Sequence, residues 1–370
     1  MARLLIQYLH GMALIRAAHD VLMVLATRSA AGWRGLVASV RARDLDRSIR
    51  VLVYGAGTAA AEAVASLRAA DPRCTVLGHV PLPNETQVAV PTGSLLQHDG
   101  ELLKMAQELR VDEIIVAVNE RRGWSMPLRE LLDCKLNGIQ VWDLNMHFER
   151  RLGQIRLCTV ETGWLIFGEG FEQGTVRRAV KRVFDIVGAL LLLVPGLPLM
   201  LLGALAVRLE SRGSAFYIQE RVGQHGKPFE VVKLRSMYSD AERDGKPQWA
   251  SVNDSRITRV GRFIRKTRID ELPQLFNVLR GEMSLVGPRP ERAYFVEQLT
   301  AQLPFFAVRQ SVKPGITGWA QVRCEYGSCL EGTKAKLQYD LYYLKNHSLL
   351  LDLIVLLETV AVVVTGRGAR

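Results

Sequence analysis

The sequence predicts an α/β chain: a parallel-sheet unit first, then a mainly helical, membrane-associated region organised around a broken apolar helix. Three observations predict it. Short β-rich runs alternate with strong helix formers between residues 49 and 145, the pattern of βαβ units around a parallel sheet. A stretch of 22 residues, 186–207, then carries no charge at all, which is membrane-like in length. Finally, 48 Lys and Arg stand against 37 Asp and Glu, a net charge of +11. That balance favours an anionic partner, such as a phosphorylated substrate, an acidic leaflet or nucleic acid. At 370 residues the chain is too long for one small core and long enough for two domains.

Residues 1–48 read as a basic amphipathic lead-in. His10, Arg16, His19 and Asp20 interrupt its apolar patches, so it falls short of the ~20 residues a spanning helix needs. It has no signal-peptide pattern. In residues 49–145, "IRVLVY", "CTVLGHV", "VDEIIVAV" and "IQVWDL" read as strands. "TAAAEAVASLRAA", "GELLKMAQELR" and "MPLRELLDCKLNG" read as helices, the last ended by Gly138. Residues 146–176 read as a linker, and 177–370 as the second domain. The five cysteines are odd in number and scattered, without zinc spacing, which fits a reduced cytosolic setting.

"VLVYGAGTAAAEA" follows a strand and opens a helix, so the first unit is expected to be Rossmann-like. Dinucleotide binding would also need an acid at the end of the second strand. That strand ends "LGHVPLP", with none. A structural or regulatory unit and a site for another nucleotide both stay open.

The uncharged segment holds Pro195, Gly196 and Pro198 at its middle, where a helix should break or kink. Arg177, Arg178, Lys181 and Arg182 precede it, and Arg208, Arg212 and Arg221 follow it. Positive charge marks the cytoplasmic side of a span. Basic residues at both ends therefore predict a helix that enters and returns, a re-entrant helix over about 178–208; a kinked spanning helix is the other reading. The later stretch "NHSLLLDLIVLLETVAVVVTG" is interrupted by Asp352 and Glu358 and is expected to lie against membrane or protein. Nucleic-acid binding fits the charge but not the long uncharged segment, so no nucleic-acid partner is expected.

The densest chemistry lies in "DSRITRVGRFIRKTRIDELPQLFNVLRGEMSLVGPRPE". Ile257, Val260 and Ile264 can bury one helical face. The arginines form either a solvated surface or a diphosphate clamp. Asp270 is expected to N-cap the next helix, with Pro273 in its first turn. Beside the arginines it should stay ionised, its pKa below the usual ~3.9. Such a carboxylate can attack phosphorus, with Mg²⁺ on Asp270 and Glu271 neutralising the diphosphate.

These blocks, with "KRVFD", "YIQERVGQHGKPFEVVKLRSM", "VKPGITGWAQV" and "YDLYYLKNHSLLLDLIVLLETV", resemble the bacterial sugar transferases, the monotopic polyprenyl-phosphate phosphoglycosyl transferases, over about residues 177–366. "FERRLGQIRLCTV" and "WLIFGEGF" resemble the exopolysaccharide subgroup. The resemblance implies transfer of a phospho-sugar from a UDP-sugar to undecaprenyl phosphate, with release of UMP. It implies Asp270 as nucleophile through a covalent phospho-sugar intermediate, and Glu271 as Mg²⁺ ligand and base. Arg265 would contact phosphate, Lys233 and Arg235 would lie near the active site, and Pro288, Arg289 and Pro290 would shape the nucleotide site. Lys181, Arg182 and Pro195 would belong to the membrane anchor. The expected place is the cytoplasmic face of the bacterial inner membrane, in contact with lipid; a homo-oligomer is left open. Where members often carry "PGPVF", this chain has "SRGSAFY", which leaves the exit from the membrane segment undefined. Larger members have spanning helices before the first domain, and none is read here. The alternative reading is a membrane-docked nucleotide-binding regulator without turnover.

Overall fold

The computed structural model describes residues 48–70, 74–82, 85, 87–97, 100–118, 127–157, 170–171, 174–239, 241, 254–324 and 330–365. The expected lead-in, except residue 48, and residues 158–169 and 172–173 of the expected linker lie outside them. The chain divides into two units between Trp142 and Asp143.

In the first unit, strands β1 (Ile49–Tyr54), β2 (Cys74–Val80), β3 (Glu113–Val116) and β4 (Gln140–Asp143) form one sheet in the order β2-β1-β3-β4. β1 pairs in parallel with both β2 and β3. Val51, Leu52 and Val53 are all fully buried. Burial on both faces is what a central parallel strand requires. Helices α1 (Thr58–Ala70), α2 (Leu102–Glu108) and α3 (Leu128–Leu136) connect the strands. Leu52 and Tyr54 share a core with Leu102, Ala106, Ile114, Leu131 and Cys134. Each such buried Leu or Ile contributes about 2 kcal/mol.

The second unit opens with α4 (Leu144–Leu152), capped by Asp143, whose side chain accepts from Met146 N at 2.6 Å. Gly153 ends it at φ 62°, and its carbonyl accepts from Trp319 Nε1 at 2.7 Å. Helix α5 (Thr175–Glu210) has 36 residues, about 54 Å of helix. The expected break at Pro195 and Pro198 is absent: the backbone stays helical through both. Its buried residues are Asp185, Ala189, Gly196, Met200, Gly203 and Val207. They recur at helical spacing on both sides of the prolines, so one stripe packs on the unit along the whole length. Leu191, Val194, Leu201, Leu202 and Leu205 stay exposed. Among the described residues this is the one helix long and apolar enough to cross a membrane.

A hairpin follows, β5 (Phe216–Val222) antiparallel to β6 (Pro228–Leu234). Next come α6 (Arg259–Lys266), a 3-10 turn (Ile269–Glu271), α7 (Gln274–Arg280) and β7 (Ser284–Val286). α8 (Ala293–Gln302), a 3-10 turn (Phe306–Ser311), β8 (Gly315–Thr317), α9 (Trp319–Arg323), α10 (Leu330–Asn346) and α11 (Leu349–Thr365) complete the unit. β7 and β8 pair in parallel. Their continuation needs glycine: a Cβ on Gly287 would stand 2.4 Å from Lys313 O, and one on Gly315 would stand 2.1 Å from Gly287 N.

The chain is thus mixed α/β, with a parallel sheet first and a mainly helical part second.

Candidate active site

The site forms where α6 hands over to α7. Thr258 caps α6, accepting from Gly261 N at 2.9 Å. Ile264 is buried and Val260 packs beside it with Met200, Val207 and Leu234, so the expected apolar face of this helix is present. Arg259, Arg262, Phe263 and Lys266 face outward. Arg268 then adopts φ 58°, a left-handed turn that non-glycine residues rarely take. It reverses the chain into the 3-10 turn that carries the acid pair. Asp270 does not cap α7: that position belongs to Pro273, without a side-chain bond. The turn intervenes because Leu272 and Pro273 continue it directly into the helix.

Both acids are buried, yet their surroundings differ sharply. Glu271 Oε1 accepts from Lys233 Nζ at 3.1 Å and Arg289 NH2 at 3.2 Å. Arg268 NH1 lies 3.6 Å from Oε2. Burial alone would raise this carboxyl's pKa, but Lys233, Arg289 and Arg268 outweigh it and hold the group ionised, well below the usual range. Asp270 is pushed the other way, up to about 6, by burial first and then by the Glu271 charge, against Lys233, Arg265 and Arg268. The expected depression of Asp270 is therefore corrected. The cations sit on its neighbour, and Asp270 keeps the desolvation penalty.

Asp270 Oδ1 is buried without a hydrogen-bond partner, as are Gln274 Nε2 and Arg265 NH1. Buried polar atoms rarely stay unpaired, and here two are donors and one is a carboxylate oxygen. Gln274 is 3 % exposed. Sequence reasoning missed it because an amide in a helix carries no motif of its own.

Lys233 and Arg289 converge on Glu271, whereas Arg235 does not. Its guanidinium donates to the carbonyls of Ser211 and Arg212, each at 2.8 Å, and so secures the exit of α5. Lys181 and Arg182 are also engaged within the unit. Lys181 Nζ lies 3.0 Å from Asp185 Oδ1 and 2.9 Å from Asp352 Oδ2. Arg182 donates to the carbonyls of Val278 and Leu279 at the end of α7. Pro195 lies within α5, next to Gly196, which packs on Leu272. Asp352 and Glu358 part company: Asp352 is buried on Lys181, while Glu358 pairs with Arg323 at 2.6 Å nearer the surface.

The Pro288-Arg289-Pro290 turn borders a small open groove, lined also by Val222, Gly223, Glu291 and Arg309. Arg309 is a second residue the sequence did not reveal. It is buried, bonds Asp340 Oδ2 through Nε at 3.0 Å, and donates to Arg289 O at 3.0 Å. It thus anchors the backbone that presents Arg289. Arg221 donates to Pro290 O at 3.2 Å from the other side.

For a divalent ion the fit is through Asp270, whose free Oδ1 would supply one carboxylate ligand; Mg²⁺ commonly takes one or two, with water and substrate phosphates making up the rest of its shell. Glu271 is already engaged by three cations. A carboxylate held ionised this firmly also accepts a proton poorly, so a base role fits it badly. Among the described residues no cluster of three His, Cys, Asp or Glu side chains could hold a metal.

The family model of the bacterial sugar transferases matches residues 176–366, which include every residue of this site. The chain belongs to that family. This bacterial sugar transferase is 40 % identical over 242 residues to the UDP-N-acetylgalactosamine-undecaprenyl-phosphate N-acetylgalactosaminephosphotransferase of Aeromonas hydrophila, across 65 % of the present chain and 56 % of that protein. It is 45 % identical over 191 residues to a UDP-glucose:undecaprenyl-phosphate glucose-1-phosphate transferase of Caulobacter vibrioides, across 51 % of this chain and 71 % of that one. A Xanthomonas campestris protein of the latter description is 34 % identical over 304 residues, 79 % of this chain and 61 % of its own length. The chain spans little more than half the length of the Aeromonas relative.

Proposed function

We propose that this transferase moves a phospho-sugar from a UDP-sugar to undecaprenyl phosphate, releasing UMP and giving undecaprenyl-diphosphate-sugar, as the first step of exopolysaccharide assembly. The observation that carries the reading is Asp270: a buried carboxylate with an unpartnered oxygen, one residue from a glutamate that gathers Lys233, Arg268 and Arg289.

A carboxylate oxygen of Asp270 attacks the sugar-bearing phosphorus. The bond from that phosphorus to the bridging oxygen breaks, and UMP leaves with the bridging oxygen and its electron pair. An oxygen of undecaprenyl phosphate then attacks the aspartyl phospho-sugar, and the phosphorus–Asp270 bond breaks, restoring the carboxylate. Desolvation makes Asp270 a stronger nucleophile than a surface aspartate once it is ionised. Arg265 and Gln274 supply the unpaired donors for phosphate oxygens, and Arg289 frames the nucleotide. Glu271 serves as the fixed anion that aligns the cations. Mg²⁺, held by Asp270, would offset the charge of the diphosphate.

We also read α5 as re-entrant, on the cytoplasmic face of the inner membrane. In support, both ends of its apolar stretch are tied to the same unit. Arg182 is fastened to the end of α7. Glu210 accepts from Arg259 N at 2.8 Å and Val260 N at 3.0 Å at the start of α6. The backbone stays helical through Pro195 and Pro198, so entry and return on one face would come from a bend at these prolines and not from a break.

The test is UMP release by detergent-held protein given Mg²⁺, undecaprenyl phosphate and a panel of UDP-sugars, beside Asp270→Asn. Release with one donor, lost in the variant, names the donor. Release that survives Asp270→Asn would sink the covalent step.

A further inference from the structure

The reaction proposed above makes no use of the glycine turn of the first unit, yet that turn is closely packed. In the order β2-β1-β3-β4 the chain reverses direction between β1 and β3, and such sheets bind ligands at the carboxyl ends of the strands at that point. Gly55, Ala56 and Gly57 lie there, between β1 and α1. A Cβ on Gly55 would stand 2.5 Å from Ala117 O, so the turn after β1 is pressed against the chain leaving β3.

The start of α1 should attract an anion, through its free N–H groups and its dipole. It already has one. Glu85 Oε2 accepts from Ala56 N at 2.8 Å and from Leu82 N at 3.2 Å. A Cβ on Gly57 would stand 2.8 Å from Glu85 Oε1. The missing side chain at Gly57 therefore makes room for this carboxylate, as in other glycine turns it makes room for a phosphate. Residues 89 and 96, further along, are tied to the same place. Ala89 N donates to Ala56 O at 2.8 Å, and Leu96 N donates to His79 O at 2.8 Å.

His79 is a second, independent sign of a ligand. It stands near the end of β2, where a dinucleotide site would place its acid. It is 3 % exposed, and its ring lies beside Gly55 of the turn. Its Nδ1 has no partner. A buried imidazole nitrogen with an unused hydrogen bond beside a turn that holds an anion is a group short of its ligand.

We propose that the glycine turn of the first unit is a site for the phosphate of a nucleotide, and that the chain keeps it shut with the carboxylate of Glu85. The carboxylate is the stand-in: two oxygens and one negative charge at the position phosphate oxygens would take. Ligand and Glu85 compete for Ala56 N, so apparent affinity falls by the fraction of molecules in which Glu85 is displaced. With no acid at the end of β2, nothing selects a ribose diol, and the site reads phosphate rather than NAD.

ADP is the probe, because the second unit is expected to read uridine nucleotides. Hydrogen–deuterium exchange of the full chain in detergent, resolved by peptide, reports residues 55–61 separately from the second unit. In Glu85→Ala, ADP should slow exchange at 55–61, with an apparent affinity about tenfold or more tighter than in the unaltered chain. Glu85→Gln keeps the shape and loses the charge, so it should fall between; it also decides the matter if Glu85→Ala fails to fold. Equal protection in the unaltered chain and the variants would show that Glu85 gates nothing. Absence of protection at 55–61 in a folded variant would show that the turn takes no phosphate. Either result overturns the proposal and leaves the transferase reading untouched.

Discussion

Lys233 Nζ lies 3.1 Å from Glu271 Oε1, joining the β5–β6 hairpin to the turn that bears the candidate nucleophile. Burial lowers the lysine's affinity for its proton, and Glu271 pulls it back up. Arg289 meets the same carboxylate oxygen. The glutamate thus ties a buried lysine to two arginines across three segments. Glu271→Gln leaves those cations facing a neutral amide. Breaking a buried pair from one side costs about 3–5 kcal/mol, so the denaturation midpoint should fall well below that of the unaltered protein. A midpoint unchanged in Glu271→Gln would mean that the pairs are not formed in solution.

Asp270 should set the acid limb of the rate. Its carboxyl is raised to about 6 by burial and by Glu271, and only the ionised form attacks phosphorus. The kcat/KM should therefore climb as pH rises through about 6 and level off above it. Stability runs the opposite way. An acid whose folded pKa exceeds its unfolded value adds stability below the unfolded pKa, and that contribution is lost as pH rises through about 6. Above that, the protein carries a buried charge that costs up to about 3 kcal/mol. Asp270→Asn removes it, so the inactive variant should melt higher than the parent at pH 7.5 and show no such gain at pH 4. A lower melting point at both pH values would show that Asp270 is a structural carboxylate.

What could be read in the sequence follows from what is local. The strands and helices of the first unit were legible because each is a short run of matching propensity, such as "CTVLGHV" or "TAAAEAVASLRAA". Val260 and Ile264 gave the packed face of α6 by spacing, whereas Ile257 precedes the helix and bridges to Met237 instead. The acid pair was legible as composition, but its electrostatics were not. That Glu271 takes the cations and Asp270 the desolvation depends on which way each side chain leaves a 3-10 turn. That turn arises from Arg268 at φ 58°, which no motif announces. Arg309 and Asp340, like Lys181 and Asp352, meet only after the chain has folded between them. The prolines misled for a related reason: the buried stripe through Gly196 and Gly203 packs the helix on both sides of them.

Arg309 and Asp340 make a prediction about substrate affinity. Arg309 NH2 reaches both Asp340 Oδ2, at 2.8 Å, and Arg289 O, at 3.0 Å. A lysine is a point charge on a flexible stem and cannot hold both. In Arg309→Lys the Pro288-Arg289-Pro290 turn loses its brace, and the UDP-sugar should lose about tenfold in kcat/KM, ~1.4 kcal/mol, chiefly through KM. Asp340→Asn should have a similar effect, and the double variant should be little worse than either alone, because the two residues act through one contact. Fully additive losses would mean that Arg309 and Asp340 support the site separately.

Lys181 tests whether the basic residues before α5 serve lipid or protein. Its ammonium bridges Asp185 on α5 and Asp352 on α11. Asp185 Oδ1 also accepts from Ser284 Oγ at 3.0 Å and Leu285 N at 3.1 Å. Asp352 Oδ1 lies 2.7 Å from the Tyr343 hydroxyl, which also reaches Val286 O at 3.0 Å. One lysine thus joins two helices to β7, the strand that runs into Gly287 and the arginine turn. In Lys181→Met both aspartates stay buried without their cation, and about 3–5 kcal/mol should be lost. Exposed Arg178 offers the control: Arg178→Met should leave stability within about 0.5 kcal/mol while removing the same charge from the helix entry. Membrane flotation of both variants separates the roles. Equal flotation with a large stability loss only in Lys181→Met assigns Lys181 to the protein interior. Loss of flotation in Lys181→Met with stability unchanged would instead assign it to the lipid headgroups.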